Sequence, residues 1–171
     1  MILGRKRIME LIERGVIRIE PFDPSQVGPA SVDLTLGNLF RILRDGPPLA
    51  IKDDSFDPSK YGELIEVPDG SYLSLEPGAF VLGITRERIS LPPTIMGILS
   101  GRSRFARVGL MVHVSSSIVQ PGSNNRQVLE IANLGNRTIR LYPGVRICQI
   151  VLFQVDGGEP FSDRYQGQET P

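Results

Sequence analysis

Apolar positions recur with two periods along the chain. In Arg5 to Arg14, Ile8, Leu11 and Ile12 share the i, i+3, i+4 spacing of one helical face. Gly15 stands where a helix C-terminal cap belongs. Everything after it reads as short strands. Val16–Ile19 is the first, and Pro21, Pro24 and Pro29 then exclude a long helix. Val32 to Leu36 alternates apolar and polar, Gly37-Asn38 reads as a turn, and Leu39 to Leu43 as another strand. Arg44 to Gly70 holds four prolines and ten charged residues and reads as surface loops, with a short strand at Leu64–Val67. Further strands are predicted at Tyr72–Leu75, Phe80–Thr85, Ile89–Leu91, Ile95–Leu99, Leu110–Val114, Val128–Ala132, Thr138–Leu141 and Ile147–Val155. Their spacing, with turn signals between, predicts a β-sandwich or barrel in one domain spanning residues 1–171. Residues 156–171 are polar and glycine-rich and read as a tail able to close over a ligand.

Composition supports that picture. Gly and Pro make up 32 of the 171 residues, and there are eleven aromatics, none of them Trp. Lys plus Arg equals Asp plus Glu at 19 each, which argues against a nucleic-acid polymer or a membrane surface as the main partner. No apolar run reaches the ~18 residues of a membrane span. A short charged start without an apolar signal core, and a single cysteine, make a reducing cytoplasm the expected setting. One His and one Cys exclude an internal disulfide and a multi-cysteine zinc site.

Three places carry candidate chemistry. Ser100 to Arg107 packs Arg102, Arg104 and Arg107 with Ser100 and Ser103 around Gly101. Arginine forks and hydroxyls suit phosphate oxygens, although the same composition describes a solvated basic turn. Glu130 lies inside the apolar run Val128 to Asn133, on the face of Val128 and Ala132 and opposite Leu129 and Ile131. It is either a wet-face residue or a desolvated carboxylate with a raised pKa that moves protons. His113 reads as a satisfied structural residue, Cys148 as a buried small hydrophobe, and Asp33 as a loop anchor.

Taken in order, Pro29-Ala30-Ser31-Val32-Asp33-Leu34, Gly101-Arg102-Ser103 with Ala106-Arg107, and Gly109-Leu110 with His113-Val114 resemble the dCTP deaminase family of the trimeric dUTPase-like superfamily. So do Pro121-Gly122, Leu129-Glu130 with Asn133, Leu141-Tyr142-Pro143-Gly144 and Tyr165-Gln166-Gly167-Gln168. The resemblance implies a mainly β, distorted barrel or jelly-roll-like fold of the dUTPase type with a short N-terminal helix. It also implies a homotrimer with sites at subunit interfaces, and hydrolysis of dCTP to dUTP and ammonia without catalytic zinc. Zinc deaminases carry H-x-E and P-C-x-x-C, which this chain lacks. Mg²⁺ is implied only as a partner of the substrate triphosphate.

By the same resemblance Glu130 is the general acid/base, Ser103 helps hold the water and Arg107 organises the site. Arg102 is a triphosphate ligand from a neighbouring subunit. Val128 reads the pyrimidine edge through its backbone. Gln149, Phe161, Arg164 and Gln168 fall where the family closes over the nucleotide. Arg104 replaces a phosphate-binding serine, and Gln120 replaces an aspartate that contacts the sugar 3′-hydroxyl. Ser115-Ser116-Ser117, Ser123 and Asn125 are further departures. The superfamily also hosts dUTP diphosphatases and bifunctional enzymes, whose chemistry uses that aspartate; Gln120 cannot act as its base. A noncatalytic nucleotide-binding trimer is the alternative of another class, against which the retention of Ser103, Arg107 and Glu130 counts.

Overall fold

The computed structural model describes every residue except Asp54, Ser55, Val114, Phe161, Asp163 and Arg164. Helix α1 (Arg5–Glu13) forms where the apolar period predicts it and buries Ile8 and Leu11. The strands that follow are β1 (Arg18–Glu20), β2 (Val32–Leu43), β3 (Gly62–Glu66), β4 (Leu73–Leu75), β5 (Phe80–Ser90) and β6 (Ile95–Gly101). A single turn of helix, α2 (Ser103–Ala106), leads to β7 (Leu110–Val112), β8 (Ile118–Val119), β9 (Asn124–Asn133), β10 (Ile139–Leu141) and β11 (Arg146–Gln154). Nine of the strands form one curled antiparallel sheet in the order β7-β9-β5-β2-β11-β6-β8, with β1 on β5 and β3 on β2; β4 and β10 pair separately. The chain is mainly β with a short N-terminal helix, as expected.

Inward-facing positions of these strands make one apolar core. Leu34, Leu36 and Phe40 of β2, Leu129 and Ile131 of β9, and Ile150 and Leu152 of β11 are fully buried within it. In β9 the alternation is regular from Asn124 to Asn133: every odd position is buried and every even one half-exposed. Burial of the Leu129–Ile131 face therefore turns Glu130 outward.

One predicted turn and one predicted break between strands are absent. Gly37-Asn38 lies inside the continuous strand β2, where the backbone register shifts between Leu36 and Phe40. A Cβ at Gly37 would lie 2.9 Å from the Ile84 carbonyl oxygen, so glycine serves close strand approach, not chain reversal. The predicted Phe80–Thr85 and Ile89–Leu91 strands are likewise joined in β5 across a register shift between Ile84 and Arg88. Glu87 sits in that shift, 2% exposed. Its carboxylate accepts from Gln26 Nε2 at 2.7 Å and from the Thr35 N–H at 2.9 Å. Beside it, Thr85 Oγ1 donates to the Glu87 carbonyl and accepts from the Gln127 N–H, both at 2.8 Å. This buried polar seam satisfies the groups that the shift leaves out of the ladder, and it ties β2, β5 and β9 together.

The end of β9 is fixed in the same way. Asn133 is fully buried, and its amide donates to the Leu75 and Arg137 carbonyls at 2.9 and 2.8 Å. Its Oδ1 accepts from the Gly135 N–H at 3.0 Å. Gly109 packs against this turn with φ 85°, and a Cβ there would lie 2.4 Å from the Gly135 nitrogen. Glycine is required twice over, by conformation and by space. No helix is long and apolar enough to cross a membrane among the described residues.

Candidate active site

The outward face of β9 opens into a depression of about 540 Å³ that includes Glu130, Val128, His113, Gln120 and Gln168. That volume is within the range of small-molecule sites. Beneath the rim, the side chains of Ser123, Asn125 and Gln127 are polar yet largely buried. Gln120 holds its turn through its carbonyl, which accepts from Ser123 Oγ at 2.7 Å.

Glu130 is bound more closely than its sequence context suggests. Its carboxylate accepts from the Ser115 N–H at 2.7 Å and from Ser115 Oγ at 3.0 and 3.1 Å. Partial burial pushes the carboxyl up. The Ser115 hydrogen bonds, with the His113 and Ser116 side contributing, outweigh that and hold it below its ordinary value. The raised pKa expected for a desolvated Glu130 is therefore corrected: donors that bind the charged form win over desolvation. The group is ionised at neutral pH and competent to accept a proton.

Ser115 follows shortly after the point where the backbone leaves β7 at His113. The predicted Leu110–Val114 strand stops at Val112, because His113 adopts a left-handed φ of 60°; Val114 lies outside the described residues. The His113 N–H donates to the Glu130 carbonyl at 2.6 Å. Its ring Nε2 donates to the Ser116 carbonyl, which fixes the tautomer and leaves Nδ1 buried without a partner among the described residues. His113 is thus held structurally through Nε2 and its N–H but only half satisfied, and it forms part of the wall beside Glu130.

The arginine and serine cluster lies elsewhere on the same chain. Arg102, Ser103, Arg104, Gln149 and Asp33 line a second depression, of about 400 Å³. Arg102 pairs with Asp33 Oδ2 at 3.1 Å and donates to the Arg146 carbonyl at 3.1 Å. The loop anchor expected at Asp33 is corrected: Asp33 lies within β2 and holds the Arg102 side chain. Gln149 Oε1 accepts from Ser31 Oγ at 3.3 Å. Arg107, which ends α2, is exposed and lines neither depression. Of the predicted catalytic set, one chain places Glu130 in the larger depression and Ser103 in the other. Gln120, Val128 and Gln168 join Glu130, whereas Arg102, Arg104 and Gln149 join Ser103. Phe161 and Arg164 lie outside the described residues.

Cys148 is fully buried, and burial pushes its thiol far up, so it behaves as the small hydrophobe expected. Among the described residues no three His, Cys, Asp or Glu side chains are grouped to hold a metal. The sequence reading missed Ser115, noted only as a departure; its one signal was a hydroxyl two residues beyond the sole histidine. It also missed Glu87, which nothing in local pattern distinguishes from other acidic residues.

The chain matches the dCTP deaminase-like family over residues 2–155. It is 35% identical, over 100% of its length and 95% of the relative's, to a protein of Corynebacterium diphtheriae named "dCTP deaminase, dUMP-forming". Its fold is similar to that of 2′-deoxycytidine 5′-triphosphate deaminase from Agrobacterium tumefaciens, with TM-score 0.69 and 21% identity. That likeness covers 88% of this chain and 47% of the other, so this chain spans about half of that protein's length. A dUTPase of Staphylococcus bacteriophage 80alpha shares the fold more distantly, with TM-score 0.50 and 14% identity over 86% of this chain and 96% of that one. With the match running almost end to end and Glu130 standing ionised in its depression, the chain belongs to the dCTP deaminase-like family.

Proposed function

We propose that the protein hydrolyses dCTP at cytosine C4, with Glu130 as the general acid/base. The observation that carries this reading is the Glu130 carboxylate, hydrogen-bonded by Ser115 and open to a depression of about 540 Å³, roomy enough for a nucleoside. Glu130 takes a proton from water, and the hydroxide oxygen bonds to C4. The proton passes to ring N3. The new hydroxyl's proton then moves through Glu130 to the exocyclic nitrogen, the C4–N bond breaks, and ammonia leaves. Water and dCTP thus give ammonia and dUTP with every atom accounted for. Val128 presents backbone groups to the pyrimidine edge beside Glu130. Gln120 reaches the sugar, and Gln168 closes from the tail.

The second depression fits the triphosphate. Arg102 and Arg104 supply guanidinium forks, and Mg²⁺ enters only on the phosphates. Because Arg102 and Ser103 line a different depression from Glu130, a complete site needs their counterparts from a neighbouring copy. We assign a homotrimer, whose closed symmetry repeats one such junction three times. No zinc is required by this reading.

The product reading is dUTP, favoured by Gln120, a neutral amide where diphosphate hydrolysis would need a base. A second reading, release of dUMP, is favoured by the name of the 35% identical Corynebacterium diphtheriae relative, a dUMP-forming dCTP deaminase. One experiment separates them: incubate the protein with dCTP and Mg²⁺, and measure ammonia and pyrophosphate. Equimolar ammonia without pyrophosphate supports the first reading and equimolar release of both the second. No ammonia refutes both.

A further inference from the structure

The sheet sets two arginines directly against each other. Arg88 of β5 and Arg126 of β9 are cross-strand partners, an arrangement of like charges that is unfavourable without a counter-anion. The anion is supplied by the chain's own tail. Glu169 Oε1 pairs with Arg88 Nη2, and Glu169 Oε2 lies 3.6 Å from Arg126 Nε. Arg88 is aimed by donating from Nη1 to the Asn124 carbonyl at 2.6 Å and to Asn124 Oδ1 at 3.1 Å.

Around this clasp the tail is laced to the start of β9 by neutral bonds. Gln166 Nε2 donates to the Gly122 carbonyl at 3.0 Å, and the Gly167 N–H to Asn125 Oδ1 at 2.6 Å. The Arg126 N–H donates to the Gln168 carbonyl at 3.2 Å. Farther on, Arg41 Nε donates to the Pro171 carbonyl at 2.7 Å. The segment so held brings Tyr165, Gln168 and Pro171 to the rim of the Glu130 depression of the same chain. Neither Arg88 nor Arg126 lines that depression.

We propose that Arg88 and Arg126 are positioning residues that grip Glu169 and hold the C-terminal strap over the Glu130 depression. The grip sets how well Gln168 meets the nucleotide and leaves the chemistry at C4 untouched. Asn125, noted in the sequence only as a departure, becomes part of the strap's seat. The effect on catalysis rests on the proposed dCTP reaction, but the grip itself does not.

Hydrogen exchange of the strap amides in nucleotide-free protein tests the grip, whatever the enzyme's substrate. The three groups are partly exposed, so the clasp is worth about 1 kcal/mol, and Glu169→Gln should speed exchange at Gly167 about fivefold. In the parent, exchange there should rise as salt goes from about 0.05 M to about 0.5 M, and in Glu169→Gln that dependence should vanish. Arg88→Gln, which removes the closer partner, should resemble Glu169→Gln, Arg126→Gln should have a smaller effect, and the Arg88→Gln/Glu169→Gln double variant should be no worse than either alone. With dCTP, Glu169→Gln should raise KM about fivefold and keep kcat within about twofold. Parent-like exchange in Glu169→Gln, or additive effects in the double variant, overturns the grip. An intact grip with no effect on KM overturns the positioning role alone.

Discussion

Asn133→Asp is the substitution whose cost can be worked out most fully. Asn133 is fully buried, its amide donating to two carbonyls and its Oδ1 accepting from one N–H. Aspartate keeps the acceptor and replaces the double donor with an oxygen aimed at the Leu75 and Arg137 carbonyls. As a protonated acid it can donate to one carbonyl, so the loss is about 1–2 kcal/mol for the other left unpaired. As a carboxylate it faces two carbonyl oxygens with no cation among its hydrogen-bond partners, so the folded state holds the proton well above the ordinary Asp value of about 3.9. A folded pKa raised above the unfolded one keeps its stability below the unfolded value and loses it as pH rises. The loss approaches about 1.4 kcal/mol per pH unit. At pH ~4 the variant should be about 1–2 kcal/mol weaker than the parent, and by pH ~7 about 4–6 kcal/mol weaker, comparable with a whole domain's stability. Urea unfolding of both proteins across this range measures the difference. A difference that does not change with pH would show that the Asn133 amide is not enclosed by those two carbonyls.

Three further outcomes follow from the same geometry. Ser115→Ala removes the hydroxyl bond to Glu130 but leaves the Ser115 N–H, so the acidic limb of kcat/KM should move to higher pH than in the parent. An unchanged limb would mean that Ser115 does not set the charge of Glu130. Gly109→Ala meets both a left-handed φ and the Gly135 backbone, and should lower stability by about 2–4 kcal/mol in thermal unfolding, where a surface glycine would cost under 1 kcal/mol. Light scattering should give a mass near three chains; and a Glu130→Gln chain co-assembled with an Arg102→Gln chain should recover activity that neither has alone. A stable, active monomer would refute the shared site.

Much of the strand pattern was legible because burial of one sheet face imposes alternation on the sequence. The run Val128 to Asn133 gave the facing of Glu130 correctly, and α1 announced itself through Ile8 and Leu11. The errors share a cause. Gly37-Asn38 looks like a turn locally, but the reason for Gly37 is the Ile84 carbonyl on another strand. The β3 strand begins at Gly62, not Leu64, since its partner is the far half of β2 and its own pattern is weak. The candidate site was legible residue by residue but not as an arrangement. Glu130's charge is set by Ser115, fifteen residues away in sequence, and the separation of Ser103 from Glu130 depends on the whole path of the sheet.

Ammonia release from dCTP by Glu130→Gln is the most direct measurement of the central claim. The substitution keeps the side chain's shape and the oxygen that accepts from Ser115, but removes its capacity to take a proton from water. A general acid–base group supplies about 10²–10⁴-fold in rate, and this one is used for both proton transfers. Deamination should fall by at least about 10³-fold, while the variant still binds dCTP with Mg²⁺ in calorimetry, because the arginine depression is untouched. Ammonia release within a few-fold of the parent would make Glu130 a bystander on the face of β9 and contradict the mechanism.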